Sequence, residues 1–208
     1  MTDDARAPRL LQQFARYPRQ GRVKTRLARS LGVKEACRVH ETLLERSART
    51  LLGARLGAVE LWLDEVSAHP LIDDLVAAGM QGPRQQAGAD LGDRMAHALA
   101  SGLRRAQRVV LVGSDCPGLN ARYLRDAFAA LESSDLVFGP AEDGGYVLVG
   151  CRSIDARLFS GIRWGSAQVL EQSMAQAKAL GRKVDLLEAL YDVDESEDLE
   201  RWRNEVGL

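Results

Sequence analysis

Val109-Val110-Leu111-Val112 runs without interruption into Gly113-Ser114-Asp115-Cys116-Pro117. Four consecutive apolar residues, three of them β-branched, predict a strand covered on both faces, as in the middle of a parallel sheet. An acid follows at the carboxyl end of that strand, pinned by an X-Pro turn. Open α/β sheets bind ligands beyond the carboxyl ends of their strands. Asp115 is therefore placed to hold a divalent cation, which would bridge the carboxylate and a bound diphosphate and neutralise a leaving group. The competing role is a turn or cap aspartate, but Asn120 is the better cap for a helix beginning near Tyr123. Ser114 lies outside any Gly-x-Ser-x-Gly elbow, and Cys116, with no histidine near it in sequence, reads as a buried thiol.

Working outward, short β-type runs alternate with amphipathic segments of helical length. Leu10–Phe14, Val59–Leu63, Leu136–Phe138, Tyr146–Val149 and Val184–Leu187 read as further strands. Helices are expected over Lys34–Leu52, His69–Ala78, Leu91–Arg105, Tyr123–Leu131, Gln168–Leu180 (stopped by Gly181) and Glu195–Val206. The alternation predicts a three-layer α/β/α sandwich around a mixed, mostly parallel sheet. No linker, repeat or low-complexity segment interrupts it, so one domain over 1–208 is expected.

Composition is that of a globular chain: 46% hydrophobic and 27% charged residues, with a net charge of −1. That balance excludes disorder and argues against a general nucleic-acid binder. No apolar stretch approaches a membrane span. Met1–Arg6 opens with acids and has no apolar run behind it, so no secretory leader is expected. Cys37, Cys116 and Cys151 are odd in number and widely spaced, which fits reduced thiols in a cytoplasmic protein. His40, His69 and His97 lack metal-ligand spacing and read as helix-surface residues.

The balanced total hides local asymmetry. Phe14–Arg29 holds five Arg and one Lys and no acid. Pro18 and Gly21 punctuate it as a loop after the first strand, and such a run of cations suits phosphate. It is not a Walker A loop, because Val23 precedes Lys24-Thr25. Gly139-Pro140-Ala141-Glu142-Asp143-Gly144-Gly145-Tyr146 links two predicted strands. Gly144-Gly145 permits close backbone approach to a ligand, although Asp-Gly is also a common hairpin turn. Asp192-Val193-Asp194-Glu195-Ser196-Glu197-Asp198 packs five acids into seven residues. Asp192 and Asp194 would face the same way on an extended segment and complete a metal site. Asp194 with Glu197 also makes a capping-box start for the last helix.

Together these motifs resemble the bacterial domain-of-unknown-function 2064 family, glycosyltransferase-A-like transferases. The resemblance rests on Phe14–Pro18 with Gly21–Leu27, on Gln86 with Asp90–Met95, on Gly113–Pro117 and on Gly139–Tyr146. Trp164 and Asp192–Asp194 with Glu197–Leu199 complete it. Arg16 stands where Lys is usual, and Gly165-Ser166-Ala167 replaces the usual Ser-Thr after the tryptophan. The resemblance implies the nucleotide-diphosphosugar transferase fold, shared with molybdenum-cofactor and lactyl-phosphate guanylyltransferases. The latter carry a Lys-Ser-Arg-Leu segment similar to Lys24–Leu27. It implies that the first loop grips nucleotide phosphates, that Asp115 binds the metal, and that Asp192 and Asp194 share it.

The expected protein is a Mg²⁺- or Mn²⁺-dependent transferase using a nucleotide-activated donor, foremost a glycosyltransferase acting from a nucleoside-diphosphate sugar on a small-molecule acceptor. Lys24, Asp115 and Asp143 are the catalytic candidates. Arg16, Gly21, Arg22, Lys24, Thr25, Arg26, Gln86, Asp90 and Arg94 would bind nucleotide or phosphate. Asp115, Asp192 and Asp194 would hold the metal, and Asp143, Gly144, Gly145 and Trp164 the acceptor or sugar. The alternatives are a nucleotidylyltransferase joining an NTP to a phosphorylated or carboxylated metabolite, and a non-catalytic phosphometabolite-binding domain. No nucleic-acid partner is expected, since only Tyr17 interleaves the cations. A homodimer is compatible with the sequence.

Overall fold

The structure, a computed structural model, describes residues 7–207. The expectation about a leader at Met1–Arg6 falls outside those residues. Seven strands form one sheet in the order β3-β2-β1-β4-β6-β5-β7. They are β1 (Leu10–Ala15), β2 (Ala58–Leu63), β3 (Gln81–Gln85), β4 (Val109–Gly113), β5 (Leu136–Pro140), β6 (Tyr146–Cys151) and β7 (Val184–Leu186). β1 pairs in parallel with β2 and β4, β2 with β3, and β5 with β7. β6 alone runs antiparallel, between β4 and β5. The sheet is thus mixed and mostly parallel, as expected.

The helices are α1 (Ala28–Leu31), α2 (Val33–Ala54), α3 (Pro70–Ala77), α4 (Leu91–Leu103), α5 (Ala121–Ser133), α6 (Val169–Ala179) and α7 (Ser196–Val206), with a 3-10 turn at Ala156–Phe159. Alternate strand residues feed two apolar layers. Leu11, Leu61, Val110 and Val137 meet α2 and α5 through Leu44, Leu51, Leu124 and Phe128. On the opposite face, Leu10, Trp62, Leu111 and Phe138 meet Met95 and Leu99 of α4, Phe159 of the 3-10 turn and Ala177 of α6. A third cluster packs Leu199 and Trp202 of α7 with Leu27 and with Val39 and Leu43 of α2.

One departure from the sequence expectations has a clear cause. β3, Gln-Gly-Pro-Arg-Gln, has no apolar residue and contains Gly and Pro, so it carries no strand signal. It is tolerated because it is an edge strand. In β1, Gln12 and Gln13 are fully buried in a central strand. Their amide nitrogens are satisfied: Gln12 Nε2 donates to the Ala98 carbonyl at 2.8 Å and Gln13 Nε2 to the Leu44 carbonyl at 2.9 Å. Those bonds fix α4 and α2 to opposite faces of the same strand.

From β1 the chain builds outward through β2 to β3, then returns to place β4 on the other side of β1. Such a switch point opens a crevice at the carboxyl ends of the two strands. Among the described residues, no helix is long and apolar enough to cross a membrane.

Candidate active site

A cavity of about 670 Å³ opens at that switch point. The loop after β1 forms one wall. Its arginines are exposed, but Val23 and Leu27 are buried, and they carry Lys24 inward between them. Tyr17 N–H donates to Asp64 Oδ1 at 2.7 Å, and the Tyr17 hydroxyl donates to the Ala68 carbonyl at 2.9 Å. The Arg16 guanidinium donates to the Arg22 carbonyl at 3.2 Å. Lys24 takes the left-handed backbone conformation, φ 46°, uncommon for a residue with a side chain.

The Lys24 side chain is 2% exposed, and its ammonium lies 2.8 Å from Asp115 Oδ2 and 3.2 Å from Asp194 Oδ1. Burial alone would lower the Lys24 pKa, but the charges of Asp115 and Asp194 raise it above the ordinary lysine value. Burial alone would likewise raise Asp115. The Lys24 charge outweighs that, with help from His40, and holds the carboxyl well below the usual range. Ser114 Oγ donates to Asp115 Oδ1 at 3.3 Å.

The late acids arrive because the chain from Leu190 to Val193 runs beside the β4 end and the β5–β6 turn. Val193 N–H donates to the Asp115 carbonyl at 2.9 Å, and Glu142 N–H to the Leu190 carbonyl at 2.9 Å. Asp194 is not the cap of α7. Glu195 caps it, in a capping box with Asp198, one residue later than the spacing suggested, and this leaves the Asp194 carboxylate in the cavity. Asp192 is pushed up to about 6 by burial and by the negative charges of Asp143, Asp194 and Asp115.

His40 is a second correction. It is buried at 3% exposure rather than on a helix surface. Its Nε2 lies 3.0 Å from the Arg16 carbonyl and its Nδ1 3.8 Å from Asp115 Oδ1. The helical period could have found it, since Ala36, His40, Leu43 and Ser47 share the buried face of α2. Asp64, which holds the loop and lines the cavity, had no comparable signal. Cys116 lines the cavity and is buried, with its thiol pushed up to about 11 by that burial; such a thiol is inert at neutral pH.

Of the remaining candidates, Arg16, Thr25, Arg26, Gln86, Asp90, Arg94, Asp143, Gly145 and Trp164 line the cavity. Gly21, Arg22 and Gly144 do not. Gln86 Nε2 is committed to the carbonyls of Ala15 and Trp62 at 2.9 and 3.1 Å, which leaves its carbonyl oxygen for a ligand. Asp90 caps α4 by accepting from Asp93 N–H at 2.9 Å. Asp143 Oδ1 accepts from Gly145 N–H at 2.8 Å, so the Asp-Gly segment is a hairpin turn as well as a cavity wall. Gly144 has φ 90°, and a Cβ there would lie 2.1 Å from the Ala167 carbonyl oxygen. Its missing side chain admits Ala167 rather than a ligand. Trp164 stacks edge-on to Tyr146 and tilted against Phe159. It reaches that position because Gly92 has no Cβ, which would stand 2.7 Å from Trp164 Cζ2.

Asp115, Asp143, Asp192 and Asp194 offer only hard oxygen donors, which suit Mg²⁺ or Mn²⁺. Among the described residues, however, no three His, Cys, Asp or Glu side chains converge closely enough to enclose a metal. The Lys24 ammonium stands between two of these carboxylates. Their donor chemistry fits a divalent cation, and their present arrangement fits an ammonium.

This sheet, with a cavity at its β1–β4 switch point, defines a nucleotide-diphosphosugar transferase type of fold. A crystal structure from Desulfovibrio desulfuricans G20, provisionally designated a nucleotide-diphospho-sugar transferase, is 32% identical. It matches with a TM-score of 0.81 over 91% of this chain and 83% of that one. Residues 47–166 match the family model described as "Uncharacterized protein conserved in bacteria (DUF2064)", and the chain belongs to that family. More distant structures share the fold. CMP:2-keto-3-deoxy-manno-octonic acid synthetase complexed with CTP is 12% identical, with a TM-score of 0.59 over 97% of this chain and 99% of that one. Rv0371c of Mycobacterium tuberculosis H37Rv in complex with manganese is 16% identical, with a TM-score of 0.54 over 94% and 97%. No curated protein matches the chain. The likeness at 32% identity supports a nucleotide-related transferase.

Proposed function

We propose that the chain is a Mg²⁺- or Mn²⁺-dependent glycosyltransferase that uses a nucleoside-diphosphate sugar as donor and a small molecule as acceptor, acting as one domain. The observation that carries this reading is the meeting, in one cavity, of the basic loop after β1 with the acids of β4, the β5–β6 turn and the segment before α7. Sugar transfer from such a donor leaves negative charge on a diphosphate, and fixed cations in a partly dehydrated cleft stabilise that charge. Lys24, Thr25, Arg26 and Arg16 would bind the diphosphate. Asp115 with Asp192 and Asp194 would hold the cation, which supplies further neutralisation of the leaving group. Asp143, exposed at the cavity rim, would orient the acceptor, with Trp164 and Tyr146 forming an apolar wall for a sugar ring.

The relatives also favour a second reading, a nucleotidylyltransferase, because a structural neighbour binding CTP has the same fold. Both chemistries develop charge on phosphate at the same place. Incubation with a panel of nucleoside-diphosphate sugars and NTPs, with Mg²⁺ or Mn²⁺, separates them. Release of a nucleoside diphosphate supports the glycosyl reading, and release of pyrophosphate from an NTP replaces it with the second. Binding without turnover, unaffected by Asp115→Ala, would reduce the protein to a phosphometabolite-binding domain. If no nucleotide raises the melting temperature in either metal, both transferase readings fail.

A further inference from the structure

Lys24 is in an unusual position for a residue meant to meet phosphate. A phosphate-binding lysine commonly reaches into an open cleft, whereas this one is 2% exposed and points at two carboxylates from 2.8 and 3.2 Å. Its ammonium occupies Asp115 Oδ2 and Asp194 Oδ1, the oxygens a cation would need. The other Asp115 oxygen is engaged by Ser114 and faces His40. With Lys24 in place, Asp143 and Asp192 are left without enough nearby donors to enclose a metal, in keeping with the absence of any such cluster among the described residues. A divalent cation entering beside the ammonium would meet a like charge at close range in a partly dehydrated cleft, where repulsion is poorly screened.

We propose that Lys24 is the resident cation of this carboxylate cluster, that its ammonium and a divalent metal exclude each other there, and that nucleotide phosphate admits the metal by drawing Lys24 away. The inference rests on the metal-dependent reading above. The pieces for such an exchange are in the structure. The lysine stem is flexible and carries three donors, the left-handed backbone at Lys24 is a conformation whose strain a move could relieve, and Thr25 and Arg26 line the same cavity to receive the phosphates. The metal and the nucleotide would then bind with positive coupling, and each would raise the affinity of the other by the same factor.

The test is a titration of Mn²⁺ followed by electron paramagnetic resonance on wild type, Lys24→Met and Lys24→Gln. It is done alone and with UDP, CDP, GDP or ADP, after subtraction of Mn²⁺ held by free nucleotide. Without nucleotide, both variants should bind Mn²⁺ at least about tenfold more tightly than wild type, and the added effect of nucleotide should be smaller in them than in wild type. A parallel measurement needs no variant. The chain has four lysines, so ¹⁵N spectra of the lysine ammonium groups can follow Lys24 in wild type. Its resonance should stay in place with Mg²⁺ alone and move when Mg²⁺ and a binding nucleotide are both present. Equal Mn²⁺ affinity in wild type and folded variants, or a Lys24 resonance displaced by Mg²⁺ alone, overturns the exclusion. If no protein binds Mn²⁺ with any of the four nucleotides, the metal-dependent function itself falls.

Discussion

Asp192 carries a stability cost that should be measurable by itself. Its carboxyl is pushed up to about 6, against about 3.9 in an unfolded chain. The folded protein therefore keeps this proton while the unfolded chain releases it, so the group favours folding at low pH and that advantage is lost as pH rises through about 6. Two units at about 1.36 kcal/mol each give about 2.7 kcal/mol. Because the side chain is only partly buried and solvent screens its neighbours, roughly half of that is the fair expectation, about 1–1.5 kcal/mol. Asp192→Asn keeps the shape and removes the charge. At pH 8 the variant should be more stable by about that amount, or roughly 2–6 °C in melting temperature for a chain of this length. The gain should shrink toward zero near pH 4. Denaturant unfolding of both proteins at several pH values provides the measurement. A variant that is less stable at pH 8, or whose difference from wild type does not vary with pH, would refute the claim that burial, together with the charges of Asp143, Asp194 and Asp115, raises this carboxyl.

Three further substitutions test the scaffold. Glu60 is fully buried, accepts from Gln12 Nε2 and Trp62 Nε1 at 3.1 and 3.0 Å, and pairs with Arg84 and Arg105; Glu60→Ala should cost about 3–5 kcal/mol in urea unfolding. Gly144→Ala places a methyl group against the Ala167 carbonyl at a φ of 90°. It should cost about 2–4 kcal/mol and weaken donor binding by shifting the β5–β6 turn, which calorimetric titration would show. Asn120→Ala removes the acceptor for Arg122 N–H and Tyr123 N–H at the start of α5; a loss of about 1 kcal/mol is expected, with unchanged nucleotide affinity.

Much of the architecture was legible in residue order. Val109–Val112 and Tyr146–Val149 are apolar runs too short for helices, and both are strands at the centre of the sheet. Asn120 caps α5 as its position suggested. What could not be read has local reasons. β3 has a composition that argues against strand, and it forms because β2 presents a free edge to it. The true cap of α7 is Glu195, a residue less favoured at that position than Asp194, and it caps the helix in a reciprocal capping box with Asp198. His40 looked like a surface residue because histidine carries no fixed preference, although its place on the inner face of α2 follows from the helical period.

Residue order alone specifies the fold class, the cationic loop, and the acids at Asp115, Asp143, Asp192 and Asp194. Those follow from periodicity and residue type, which are local properties of the chain. Which charges meet depends on how the whole chain folds. Lys24 lies 170 residues from Asp194, and nothing local to either residue specifies their contact. The buried flanks Val23 and Leu27 turn Lys24 inward, and the bond from Val193 to the Asp115 carbonyl brings Asp194 to it. A loop that read as cations waiting for phosphate thus holds a lysine already neutralised by two carboxylates. The physical reason is burial: an ammonium removed from water is stable only beside opposite charge, and the fold supplies that charge from the far end of the chain.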